Sequence, residues 1–277
     1  MTLWERNTAF KGGIILAAVC MLFISIAVFV ILPVYPGQAQ ETVRRSAGLI
    51  QSFFGRFFEP NSFVPLVSIA GAGLYSLITL VLIYYFFEKT QCPEILFFAF
   101  FALSFAFEAV RLLIPLKAVY IISPPYLLMA FKILLFTRYF GIFSLFTASV
   151  YAAGLEVQKQ RDIILIITVA TMVIAMGMPI DTLSWDSSLS MISGYTSMFR
   201  MVEAGVLFIT IVSFLISAYS RGAGEYILIG VGSLFVFLGR NILLNADTWI
   251  SLFPALLLLA AGTWYICTQL HKVYLWL

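Results

Sequence analysis

The sequence predicts an all-α protein: a polytopic membrane bundle of eight transmembrane helices with one amphipathic helix at the membrane interface. Composition is the first reason, because 62% of the 277 residues are hydrophobic and only 10% are charged, whereas about a quarter of the residues in soluble proteins are charged. The second is a series of eight apolar stretches, most of which approach or exceed the about 20 residues that cross a bilayer core. The third is an uneven division of Lys and Arg between alternate loops.

The spans follow one another with short connections. By apolar run length they cover residues 13–34, 63–87, 95–115, 126–154, 163–180, 198–219, 226–244 and 249–270. Small residues recur at four-residue steps and favour close helix packing. They are Ser68, Ala72 and Ser76 on the second span and Ser144, Ala148 and Ala152 on the fourth. The chain therefore divides into an N-terminal span (residues 1–39), an interfacial segment (40–62) and a seven-helix membrane domain (63–277).

The first span is either a retained anchor or a cleaved signal. Its apolar core exceeds the 7 to 15 residues of a typical signal peptide, which favours an anchor. Gly37-Gln38-Ala39 nevertheless fits a small-x-small cleavage site. The interpretation of the remaining spans is the same in both cases.

Residues 41–59 predict a helix lying flat in the membrane interface. Apolar residues recur there at three- and four-residue steps, and three arginines lie on the other side. This pattern is typical of amphipathic interfacial helices. Pro60 ends the segment.

The loops predict the orientation of the chain. After the second span, one set of loops contains five basic residues and the other set contains only Lys117. The five are Lys89, Lys159, Arg161, Arg221 and Lys272. Because basic loops stay in the cytoplasm, we expect a protein of the cell (inner) membrane with both termini cytoplasmic if the first span is retained. The outer segment 181–197 has acids but no base and predicts a short solvent-exposed loop.

Charged residues inside the spans are the main functional signal. There are seven: Glu108, Arg111, Lys132, Arg138, Arg200, Glu203 and Arg240. Each costs about 2.5 to 3.5 kcal/mol at the bilayer centre if it faces lipid. The alternating direction of the spans places all seven in the outer half or near the midplane, and leaves the inner half almost purely apolar.

These seven residues comprise five bases and two acids, which leaves an excess of three positive charges. Because unpaired buried charge is costly, this excess predicts an anionic ligand. Arginine suits the recognition of carboxylate or phosphate, so a small anion or a lipid head group fits the site. Asn241, beside Arg240, adds a neutral donor. The alternative is that shallow arginines reach the interface and two ion pairs serve only structure.

Other classes of site lack the residues that they need. His271 is the only histidine, and Cys20, Cys92 and Cys267 form no C-x-x-C pair, which argues against zinc sites and Ser-His-Asp triads. No glycine-rich nucleotide loop is present. A net charge of +3 is too small to indicate nucleic-acid binding. We therefore expect no metal, no cofactor and no nucleic acid, and the sequence argues against the chemistry of soluble enzymes.

Setting aside the first span, seven helices with an outer N-terminus and an inner C-terminus resemble the bacterial seven-transmembrane receptor modules with diverse intracellular signalling. The resemblance covers residues 63–270 in architecture and matches no motif residue by residue. It implies a receptor-like sensor, which would signal through a separate cytoplasmic or membrane partner because this sequence contains no output domain. Two alternatives remain: an anion or organic-acid permease, and a non-catalytic subunit of a membrane complex.

Overall fold

The computed structural model describes residues 2–33, 61–117 and 119–275, and these residues are almost entirely helical. Among them are eight helices long and apolar enough to cross a membrane. They are α1 (Leu3–Ile31), α2 (Phe63–Phe87), α3 (Pro93–Leu116), α4 (Pro124–Ala152), α5 (Gln160–Gly177), α6 (Thr196–Arg221), α7 (Glu225–Leu244) and α8 (Trp249–Leu275). The chain is thus a multi-pass helical membrane protein, as its composition predicts.

Helix α1 differs most from its predicted bounds, because it begins at Leu3 rather than at residue 13. A capping box starts it: the Thr2 hydroxyl accepts from the Glu5 backbone N–H at 3.2 Å, and Thr2 N–H donates to the Glu5 carboxylate at 2.8 Å. The buried Arg6 guanidinium donates to backbone carbonyls at the end of α2, including that of Phe87 at 2.8 Å. These carbonyls have no partner within their own helix, so they stabilise the buried cation.

The predicted interfacial helix and the candidate cleavage site fall between α1 and α2. Residues 34–60 lie outside the described residues, so both stay predictions.

Loops alternate between the two ends of the bundle. At one end, the turn before α2 bonds the turn before α8, through Asn61 N–H and the Asp247 carbonyl at 2.9 Å. The segment between α5 and α6 reaches the same end, where the Ser187 hydroxyl donates to the Asp247 carboxylate at 3.2 Å. We call this the hairpin end. The opposite end, where α1 begins and α8 ends, is called the terminal end.

Helix α3 occupies the centre of the bundle. It contacts α1, α2 and α4, and most of its side chains are buried. Helix α4 in turn packs against α5 and α6, while α8 packs against α7 and α2. All six small residues predicted for close packing on α2 and α4 are buried.

The segment between α5 and α6 corrects the prediction of an exposed loop. It forms an antiparallel hairpin of β1 (Ile180–Trp185) and β2 (Met191–Ser193). Ser188, Leu189 and Met191 are buried, and the two apolar side chains join the core formed by α1, α2, α3 and α4. The polar composition of this segment predicted that it is exposed. Its apolar residues, which lie among Ser and Asp residues, are instead buried.

Candidate functional site: a buried arginine–glutamate cluster

The cluster begins with a change of helix type within α3. Residues Phe105–Leu112 form a 3-10 helix between two α-helical parts, Pro93–Ser104 and Leu113–Leu116. Side chains three residues apart are eclipsed in a 3-10 helix, which aligns Glu108 directly with Arg111. Both are buried, with 2% and 1% of their surface exposed. Runs of 3-10 helix rarely exceed four residues, and those within a longer helix often mark hinges.

Glu108 is the centre of the charged contacts. Arg138 of α4 binds it with two donors, Nε to Oε1 at 2.7 Å and Nη2 to Oε2 at 2.6 Å. Arg111 donates from Nη1 to Oε2 at 3.4 Å. Such two-donor pairing is the strongest geometry available to a carboxylate and a guanidinium. Arg138, which has no acid on its own helix, thus finds its counterion on α3.

The second ion pair joins α6 to α7. Arg240 Nη1 lies 3.9 Å from Glu203 Oε2 and donates to Asn241 Oδ1 at 3.2 Å. Its Nη2 donates to the backbone carbonyl of Arg138 at 3.4 Å, which connects the two ion pairs. Glu203 therefore pairs across to α7 and not with Arg200 on its own helix.

The β-hairpin covers this cluster. Arg111 Nη2 donates to the backbone carbonyl of Ser188, and Arg138 Nη2 donates to the Ser190 hydroxyl at 3.3 Å. Asp186 holds the turn by accepting from the Ser188 and Ser190 backbone N–H groups at 3.1 and 2.8 Å. Its negative charge also acts on Arg111 and Arg138. The hairpin thus supplies oxygen acceptors to two arginines.

Two predicted site residues lie apart from the cluster. Lys132 donates to the backbone carbonyl of Met176 in the last turn of α5, where helix-end carbonyls favour a cation. Arg200 is exposed and has no hydrogen bond or ion pair within the described residues. The structure therefore brings together Glu108, Arg111, Arg138, Glu203, Arg240 and Asn241, but not Lys132 and Arg200.

The charge balance of the cluster differs from the sequence count. With Lys132 and Arg200 apart, three arginines face two glutamates, an excess of one positive charge instead of three. The negative charge of Asp186 also attracts Arg111 and Arg138, less strongly than Glu108 does, and so reduces that excess while the hairpin is in place. Arg111 Nε is buried without a hydrogen-bond acceptor among the described residues. Side chains of Arg138 and Glu203 remain partly exposed.

Sequence reasoning missed a buried acid at the terminal end. Glu94, in the first turn of α3, is 1% exposed and accepts from the Tyr274 hydroxyl at 2.7 Å and the Cys92 thiol at 3.3 Å. Its other oxygen, Oε1, has no hydrogen-bond partner among the described residues. The half of the bundle predicted to be apolar thus contains a buried carboxylate. The predicted span starts at residue 95, two residues after the observed helix start at Pro93, so the prediction leaves Glu94 in the preceding loop.

The described residues do not group three His, Cys, Asp or Glu side chains in a way that could hold a metal ion. No protein-family model matches the chain, and no curated protein is detectably similar to it.

Proposed function

We propose that this chain is a receptor-like sensor whose buried arginine cluster binds a small anion or a lipid head group at the hairpin end. The observation that carries the proposal is the contact between the cluster and the hairpin. Arg111 and Arg138 are bound by oxygens of Ser188 and Ser190, which stand where the oxygens of an anionic ligand would bind. The hairpin acts as an internal ligand, and an external anion competes with it.

The response follows from the same contacts. When an anion replaces the hairpin oxygens, the hairpin separates from α3 and α4. The negative charge of the anion then takes the place of the Asp186 carboxylate beside the arginines. The 3-10 segment of α3 carries both Glu108 and Arg111, so a change in their contacts acts on a part of the helix that can rewind. Helix α3 contacts α1, α2 and α4, which transmits the change to the terminal end. A separate protein partner at that end would receive the signal.

The test is an anion titration of the detergent-solubilised protein, with unfolding temperature as the readout. We use acetate, inorganic phosphate and phosphatidylglycerol as probes. A ligand present at about 100 times its Kd stabilises the folded protein by about 2.7 kcal/mol. The shift should disappear in Arg138→Gln and persist in the matched control Arg200→Gln, because Arg200 lies outside the cluster.

A second variant separates ligand competition from a simple loss of folding. Ser190→Ala removes one hairpin acceptor from Arg138 and leaves both ion pairs intact. If the hairpin competes with the anion, Ser190→Ala binds the anion more tightly than the wild type. Equal affinity, or no anion-dependent shift in any variant, contradicts the proposal. Counterflow of a labelled anion in liposomes would support the permease alternative instead.

A further inference from the structure

A long groove runs along the lipid-facing side of the bundle between α2 and α8. It has a volume of about 550 Å³, within the range of small-molecule binding pockets. One wall extends from Gly71 to Phe87 and the other from Leu256 to His271. At 1.5 Å per residue, the groove is about 22 to 24 Å long. It therefore covers most of the about 30 Å thickness of the hydrocarbon core.

The groove is long and narrow, because its volume of about 550 Å³ extends over a length of about 22 to 24 Å. A single hydrocarbon chain fits a furrow of this shape. Side chains along its opening, such as Leu74, Ile78 and Trp264, are exposed and would lie against that chain.

The walls of the groove favour an apolar occupant. Their hydroxyl groups already bind one another or the backbone: Tyr75 bonds Thr263 at 2.7 Å, and Thr268 donates to the Trp264 carbonyl at 2.7 Å. No polar ligand group is needed to satisfy them. The rest of the lining is almost entirely aliphatic and aromatic.

One end of the groove is polar and carries more positive than negative charge. His271 lines this end and its ring contacts that of Phe87, with 5.8 Å between the ring centroids. Lys272 follows His271 directly, and Lys89 lies two residues beyond Phe87; both lysines are exposed. Glu88 is the acid in this turn and accepts from the Tyr84 hydroxyl at 3.2 Å. Basic residues at the end of an apolar groove complement a phosphate head group.

We propose that the α2–α8 groove is a binding site for one membrane lipid, with its hydrocarbon chain along the groove and its phosphate head group beside His271 and Lys272. This site lies apart from the arginine cluster and does not depend on the sensor function. It would hold the lipid against two helices that contact each other directly.

The experiment counts bound lipid on the purified full chain by native mass spectrometry after delipidation and addition of phosphatidylglycerol. Ala260 lines the groove, and Ala260→Phe should fill it and weaken binding about tenfold or more. The matched control is Ala170→Phe, the same change at an exposed position of α5 outside the groove. The wild type and Ala170→Phe should each bind one lipid more than Ala260→Phe, whether or not a head group also occupies the arginine cluster.

Head-group recognition is tested by comparing phosphatidylglycerol with phosphatidylcholine. The double variant Lys89→Gln/Lys272→Gln should lose the preference for phosphatidylglycerol while it still binds a lipid chain. Three outcomes overturn the proposal: equal lipid binding by Ala260→Phe and Ala170→Phe, no head-group preference in the wild type, or a change from dimer to monomer in Ala260→Phe. The last outcome would show that a second copy of the chain occupies the groove.

Discussion

Glu108 is the residue on which the most buried contacts of the arginine cluster depend. Both of its oxygens are occupied, one by Arg138 and the other by Arg138 and Arg111 together. Replacing all three residues with well-packed apolar ones would cost little, but removing one partner leaves buried charge without compensation. Glu108 therefore differs from an exposed acid, whose loss changes stability by less than about 1 kcal/mol.

We predict that Glu108→Gln destabilises the protein by about 3 to 5 kcal/mol, because it leaves Arg111 and Arg138 without a buried counterion. The measurement is the unfolding temperature in detergent without added anion. Arg200→Gln is the control and should leave that temperature unchanged, since Arg200 is exposed and unpaired within the described residues. Similar unfolding temperatures for the two variants would rule out a structural role for the Glu108 contacts.

The buried acid at the terminal end gives a second residue-scale prediction. Tyr274→Phe removes the hydroxyl that donates to Glu94 at 2.7 Å. Leaving this buried acceptor without its donor should cost about 1 to 3 kcal/mol. Tyr219→Phe serves as the control because Tyr219 is exposed. In the background of Glu94→Gln, the cost of Tyr274→Phe should fall; an unchanged cost would mean that the two side chains are not coupled.

At the scale of elements, α7 and α8 make the closest helix contact through glycines. A Cβ at Gly239 would lie 2.9 Å from the Ala255 carbonyl oxygen and from the Leu259 backbone nitrogen. Gly262 is equally confined, since a Cβ there would lie 2.7 Å from the Gly232 carbonyl oxygen. Small residues allow helix backbones to approach in membranes, where dispersion contacts replace the hydrophobic effect between helices.

Gly239→Ala should therefore separate α7 from α8 and destabilise the protein by about 1 to 3 kcal/mol, the usual cost of overpacking. Gly205→Ala is the matched control, because nothing lies within 4 Å of its added Cβ. There the higher helix propensity of alanine should stabilise α6 by up to about 1 kcal/mol. Thermal unfolding of both variants measures the difference, and the same sign of change in both would refute the close contact.

The elements themselves were largely predictable from apolar run length. The predicted bounds of α2 are those observed, and the other helices after α1 differ by up to five residues. The predicted elements were wrong where the local structure does not follow from composition. The capping box extends α1 past its charged residues, the 3-10 segment within α3 leaves no clear signal in hydropathy, and short strands in a polar stretch resemble a loop.

At the scale of the whole molecule, the sequence predicts how deep each charged residue lies in the membrane better than it predicts which residue it contacts. Alternating spans place Glu108 and Arg138 in the outer half or near the midplane, and the structure brings them into contact. Which arginine meets which glutamate depends on helix rotation and on neighbours in space, and neither can be read from span order. Lys132 shows this limit: its depth indicated an anion ligand, but the end of α5 lies close enough to supply a carbonyl.

The orientation of the bundle in the membrane is a prediction that concerns both of its ends. Lys159, Arg161 and Arg221 lie at the terminal end, so the positive-inside rule predicts that this end is cytoplasmic and that the hairpin is outside. Single cysteines test this in intact cells: Ser187→Cys on the hairpin should react with a membrane-impermeant maleimide, and Gln158→Cys should react only after lysis.

The native cysteines do not obscure this measurement. Burial raises the pKa of the Cys92 thiol well above its usual value, which keeps the thiol protonated and unreactive, while Cys20 and Cys267 lie within spans. If Gln158→Cys reacts before lysis and Ser187→Cys does not, the orientation of the bundle in the membrane is the opposite of the predicted one. The arginine cluster would then face the cytoplasm, and the ligand of the sensor would be a cytoplasmic anion or an inner-leaflet head group.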